Sequence, residues 1–146
     1  MKKNKFITKT AIETQRIGKK LARNIIKSKP GAIILALIGE LGAGKTTFTK
    51  GFAKGLGIKK IIQSPTFIIA RRHPLKKSKL KNFYHFDAYR VGPKDLLLFG
   101  WEDLVNDPVN IIIVEWADRI EKILPKKHMK IFFQTLKNGK RKIIFK

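Results

Sequence analysis

Residues 32–48 read AIILALIGELGAGKTTF. The seven apolar residues from Ala32 to Ile38 suit a strand buried on both faces. Then the bulk vanishes: Gly39, Gly42 and Gly44 fall within six positions and Lys45-Thr46 follow. A core needs volume at such a point, whereas a loop that lies against an oxyanion needs its absence. Gly39 to Thr46 matches G-x-x-x-x-G-K-[ST], the phosphate-binding loop, with a strand before it and a helix expected after it over about 45–55. In such a loop successive backbone N–H groups face the β-phosphate and the helix adds its positive end. Lys45 would bridge the β- and γ-phosphates, and the Thr46 hydroxyl would bind magnesium. The nucleotide-binding set is expected to comprise Glu40, Leu41, Gly42, Ala43, Gly44, Lys45, Thr46 and Thr47.

The remaining chain supplies the frame. Thr10 and Glu13 read as a capping box, and Ile17, Leu21 and Ile25 recur at helical spacing, predicting a helix over 11–28. Residues 66–72 and 82–87 read as strands, with the basic segment HPLKKSKLK between them. Pro93 suits the first turn of a short helix over 93–99. Residues 110–115 form a second fully apolar strand, followed by a helix near 117–123. Asn138-Gly139 marks the turn of a final hairpin. Alternating strands and helices predict an α/β fold: a three-layer P-loop NTPase-like sandwich, its sheet mostly parallel with an antiparallel C-terminal hairpin. The 146 residues read as one domain, 1–146.

Composition narrows the class. There is no cysteine, which excludes disulfides and thiolate catalysis and fits a cytoplasmic protein. No run of about 18 apolar residues offers a membrane span. The net charge of +23 admits two readings: a polyanionic partner such as RNA, or the lysine- and isoleucine-rich drift of an AT-rich genome.

Magnesium at a phosphate loop needs a carboxylate, usually at the end of a neighbouring buried strand. Ile111-Ile112-Ile113-Val114 ends in Glu115, a Walker B-like position, and Phe83-Tyr84-His85-Phe86 ends in Asp87. Each acid is either a functional carboxylate or a plain strand end. Together, one would hold a metal-bound water and the other would orient or deprotonate an attacking group. Thr66, in Ser64-Pro65-Thr66-Phe67, is either a switch-like hydroxyl for the γ-phosphate or part of a simple turn. His85 reads as a packing or hydrogen-bonding residue rather than a base. Trp116 would stack on a base, seal an interface or pack the core. The absence of an N-K-x-D guanine signal favours adenine.

Taken in order, GELGAGKTTFTKGFAKGLGI, SPTF, HFDAYR and VEWADR resemble the bacterial TsaE (YjeE) family, from Glu13-Thr14 to Arg141. The resemblance implies a small ATPase that uses ATP and Mg2+ and is required for threonylcarbamoyl modification of the adenosine 3′ of the anticodon in tRNA. It implies a partner pair, TsaB–TsaD, of which TsaD performs the transfer while the ATP step resets the complex, so tRNA is met indirectly or within that assembly. By the same resemblance Lys45, Thr66, Asp87 and Glu115 are the catalytic set, Thr46 and Glu115 hold the metal, and Trp116 completes an E-W pair at the nucleotide. Turnover alone is expected to be slow, with Arg71, Arg72 and Arg90 as unranked candidates for a transition-state arginine. Two other readings compete. A small-molecule kinase would use RRHPLKKSKLK as a lid, and a basic RNA-binding module would carry a vestigial nucleotide site.

Overall fold

The computed structural model describes residues 4–28, 31–60, 62–63, 69–76 and 78–146. Seven strands form one sheet: β1 (Lys5–Thr8), β2 (Ile33–Gly39), β3 (Ala70–Pro74), β4 (Asn82–Asp87), β5 (Asn110–Glu115), β6 (Met129–Thr135) and β7 (Arg141–Phe145). Their order across the sheet is β1-β7-β6-β2-β5-β4-β3. The middle is parallel, through the pairs β6–β2, β2–β5 and β5–β4. Both margins are antiparallel, β1–β7–β6 on one side and β3–β4 on the other. The helices are α1 (Ala11–Ile26), α2 (Lys45–Gly55), α3 (Pro93–Phe99) and α4 (Trp101–Asn106), with a 3-10 helix over Ala117–Ile123. The expected α/β architecture is therefore the observed one.

Alternation along the two central strands explains the three layers. Leu35, Leu37, Ile111 and Ile113 face α1 and α2, where Phe48 and Phe52 meet them. Ile34, Ala36, Ile112 and Val114 face the opposite layer, with Leu96, Trp101 and Ile120. Strands covered on both faces have no polar side to show, hence their continuous apolar runs.

Helix α1 starts where its cap predicts. Thr10 is extended at φ −135° and its hydroxyl accepts from Glu13 N at 3.1 Å. The Glu13 carboxylate reaches back to Lys9 N at 2.5 Å. Its crossing with α2 is unusually close. A Cβ placed on Gly51 would lie 2.0 Å from Gln15 O, and one on Gly18 2.3 Å from Phe48 O. The glycines let backbone meet backbone, which sets the position of α2 and the loop before it.

Three details depart from the expectations. The strand expected over 66–72 is β3, Ala70–Pro74; Thr66 and its neighbours 64–68 lie outside the described residues. The segment 117–123 is a 3-10 helix with a non-helical Ile120 (φ −122°, ψ 24°), not an α-helix. Two elements were not anticipated: β1, only four residues long, and α4, which follows α3 after Gly100 turns the chain at φ 108°. Among the described residues no helix is long and apolar enough to cross a membrane.

Candidate nucleotide site

The loop between β2 and α2 opens at the carboxyl end of the parallel strands, where α/β sheets place ligands. Gly42 (φ 76°) and Gly44 (φ 107°) take left-handed conformations that side chains disfavour. Gly44 is also the N-cap of α2, and no side chain caps that end. The first N–H groups of α2 are thus left for an anion, and the helix dipole adds to the attraction.

Lys45 opens α2 and is almost fully buried. Its ammonium donates to Gly39 O and, at 2.8 Å, to Glu40 O. It also lies 4.1 Å from the Trp116 ring centroid. Burial pulls its pKa below the ordinary lysine value, opposed by the carboxylates of Glu115, Asp118, Asp87 and Glu40. The charge is held by its own loop's carbonyls, which a phosphate would replace.

Glu115 and Asp87 end neighbouring parallel strands and are direct register partners, on the sheet face turned toward α2. Both are buried, at 2% and 8% exposure. Glu115 Oε1 accepts from Thr46 Oγ1 at 2.7 Å, and Glu115 Oε2 lies 2.5 Å from His85 Nε2. Asp87 Oδ1 accepts from Tyr89 N at 2.9 Å. The chain therefore gathers Lys45, Thr46, Asp87 and Glu115 at one place from three separate segments.

Trp116 directly follows Glu115 and is left-handed, at φ 59° and ψ 39°. Such a conformation in a bulky residue costs about 1–2 kcal/mol. Neighbours hold it: the Tyr89 ring at 4.9 Å, and Arg119, which lies 5.5 Å from the indole and donates to Tyr89 O at 2.7 Å.

These groups line a cavity of about 600 Å3. Leu41, Gly42, Gly44, Lys45, Thr46, Thr47, Asp87, Glu115 and Trp116 all contribute to its wall. Glu40 and the buried Ala43 belong to the loop but not to the wall, Glu40 instead accepting from Ala43 N at 3.1 Å. Of the three arginines considered, Arg90 lines the cavity; Arg71 and Arg72 sit on β3, where Arg72 bonds Asn82 Oδ1 at 2.8 Å. The sequence reading missed Lys9, Thr10, Thr14, Tyr89, Gly139 and Arg141, which also form the wall. Residues 9–14 and 139–141 arrive through the β1–β7 pairing, which leaves no local signal, although the Asn138-Gly139 turn was itself legible.

The donors fit the groups expected here. Thr46, Glu115 and Asp87 offer only oxygen, the preference of a hard cation. Among the described residues no cluster of three His, Cys, Asp or Glu could hold a metal by itself. Magnesium at a phosphate site needs only one or two protein ligands, the rest of its shell being phosphate and water.

Comparison with known proteins adds an independent line. Residues 8–143 match the family model "Threonylcarbamoyl adenosine biosynthesis protein TsaE". A Bacillus subtilis protein named tRNA threonylcarbamoyladenosine biosynthesis protein TsaE is 40% identical over 149 residues, spanning 99% of this chain and 86% of the relative. Its Treponema pallidum namesake is 32% identical over 138 residues, spanning 94% and 96%. Among solved structures, Bacillus subtilis YdiB superposes with a TM-score of 0.71 at 36% identity, covering 97% of this chain and 82% of that one.

Proposed function

Since the chain belongs to the TsaE family, whose members serve tRNA threonylcarbamoyladenosine biosynthesis, we propose that it is the ATP-binding and ATP-hydrolysing subunit of that modification, working with a TsaB–TsaD pair in the cytoplasm. The observation that carries this reading is the joint placement of Lys45, Thr46 and Glu115 at the uncapped start of α2.

In this reading the amides of the loop and of the first turn of α2 cradle the phosphates. Lys45 exchanges the carbonyls of Gly39 and Glu40 for phosphate oxygens. Thr46 and Glu115, hydrogen-bonded to each other here, would hold magnesium through their oxygens. When bound, magnesium neutralises and orients the phosphate oxygens of the in-line displacement. Asp87 orders the attacking water, and Thr66 acts as the switch-like hydroxyl. Arg90 and Arg141 are the cavity arginines that bear on the γ-phosphate charge. Trp116 and Tyr89 add an aromatic wall to the cavity.

Of the competing readings, the kinase has little support. Its supposed lid forms edge strand β3 and the connection to β4, and none of the described residues 70–81 lines the cavity. The charge of +23 still supports RNA attraction at low salt, but does not account for the four-residue constellation.

The test is ATP hydrolysis by the purified protein, with and without the TsaB–TsaD pair, and with Glu115→Ala as control. Stimulation that disappears in the variant is the expected result. Negligible turnover in every case, alongside tRNA binding, would transfer the assignment to a basic RNA-binding module.

A further inference from the structure

His85 has no place in the mechanism just described, yet it is completely buried at the edge of the site. It stands in the middle of β4, opposite Ile113 of β5, on the same sheet face as Asp87 and Glu115. Its Nε2 lies 2.5 Å from Glu115 Oε2 while its Nδ1 has no hydrogen-bond partner among the described residues. A buried imidazole that leaves one nitrogen unsatisfied gives up hydrogen-bonding energy. The retained contact is to one particular oxygen of one particular carboxylate.

Glu115 is thereby fixed at both oxygens, by Thr46 on Oε1 and by His85 on Oε2. The two contacts differ in kind. Thr46 sits at the cavity wall and is itself offered as a metal ligand, so its bond to Oε1 is one that metal binding exchanges. His85 is fully buried and absent from the wall. Its bond to Oε2 can persist while Oε1 turns to a cation.

We propose that His85 is a positioning residue: it donates from Nε2 to Glu115 Oε2 and holds Oε1 toward Thr46, so that the magnesium site exists before the cation arrives. This deepens the magnesium-dependent nucleotide reading above and rests on it. The loss of a hydrogen-bonded partner behind a metal ligand typically costs about 10–100-fold in metal affinity.

The experiment measures binding of a fluorescent ADP analogue, first in EDTA and then across a magnesium titration, for the parent, His85→Phe, His85→Asn and His85→Gln. Thermal melts run alongside. The parent should bind the analogue more tightly as magnesium rises. In His85→Phe the magnesium midpoint should rise about 10–100-fold, with metal-free affinity within about twofold of the parent. His85→Gln should recover much of the loss, because its amide nitrogen can stand where Nε2 does; the shorter His85→Asn should not. A midpoint in the Phe variant within twofold of a responsive parent would overturn the proposal. If His85→Phe does not fold, equal midpoints for the Asn variant and the parent would overturn it. If the parent itself ignores magnesium, the magnesium reading of Thr46 and Glu115 fails first, and this proposal falls with it.

Discussion

Consider Gly51→Ala, in the middle of α2. Helix propensity alone promises a gain of about 1 kcal/mol. The structure predicts the opposite sign. The new methyl carbon would sit 2.0 Å from Gln15 O and 2.5 Å from Gln15 Cα, where ordinary contact begins near 3.4 Å. Both obstacles are backbone, so no rotamer change relieves them, and α1 and α2 must part by about an ångström. Forcing a methylene into a packed core costs about 1–3 kcal/mol, and this overlap belongs at or beyond the upper end. Offset by the propensity gain, the net loss is at least about 2 kcal/mol. For a chain of this length that lowers the melting temperature by about 6 °C or more. Because α2 begins at Lys45, the displacement also reaches the phosphate loop, and ADP affinity should fall with stability. Differential scanning calorimetry with an ADP titration measures both. A melting temperature equal to or above that of the parent would refute the idea that backbone contact between α1 and α2 positions the loop.

Other perturbations reach the site more directly. On the proposed reading Lys45→Ala would remove one charge-assisted contact to phosphate and should weaken ADP binding by roughly tenfold to a hundredfold in calorimetric titration. Thr46→Val keeps the shape but deletes the hydroxyl, so ADP binding in EDTA should survive while its enhancement by magnesium is lost. His73 is stacked on Phe83 at 5.9 Å, and burial, then His85, Lys60 and Arg71, push its pKa below the ordinary histidine value. Below about pH 6.5 the unfolded chain therefore binds this proton more readily than the fold, and stability should drop as the pH falls through that window. In denaturant titrations at pH 7 and pH 5.5, His73→Gln should lose less stability than the parent over the same interval.

The legible parts of this molecule are those whose cause is local. Ala32 to Ile38 must be apolar because β2 is covered by helices on both faces, and the glycine spacing after it follows from two left-handed turns. Glu115 was found because an acid closing an apolar strand is conspicuous, and Thr10 because a capping box spans only four residues. Illegible parts depend on distant partners. The strand β1 has only four residues and one buried side chain, Thr8, whose hydroxyl meets Thr14 at 2.7 Å; its strand character comes from β7, which lies more than 130 residues away in sequence. Arg141 could not be placed at the phosphate loop without knowing that β7 runs beside β6 and β6 beside β2. His85 shows the same limit: its type and strand were readable, but its contact with Glu115 depends on the β4–β5 register.

The pairing of β1 with β7 carries a consequence for how the protein is made. Lys5 is aligned with Ile144, so strand β1 waits for β7, synthesised more than 130 residues later. Until residues 139–145 have been synthesised and have paired, one wall of the cavity does not exist. A nascent chain already carrying its complete glycine loop therefore lacks Arg141 and the edge that seats Lys9 and Thr10.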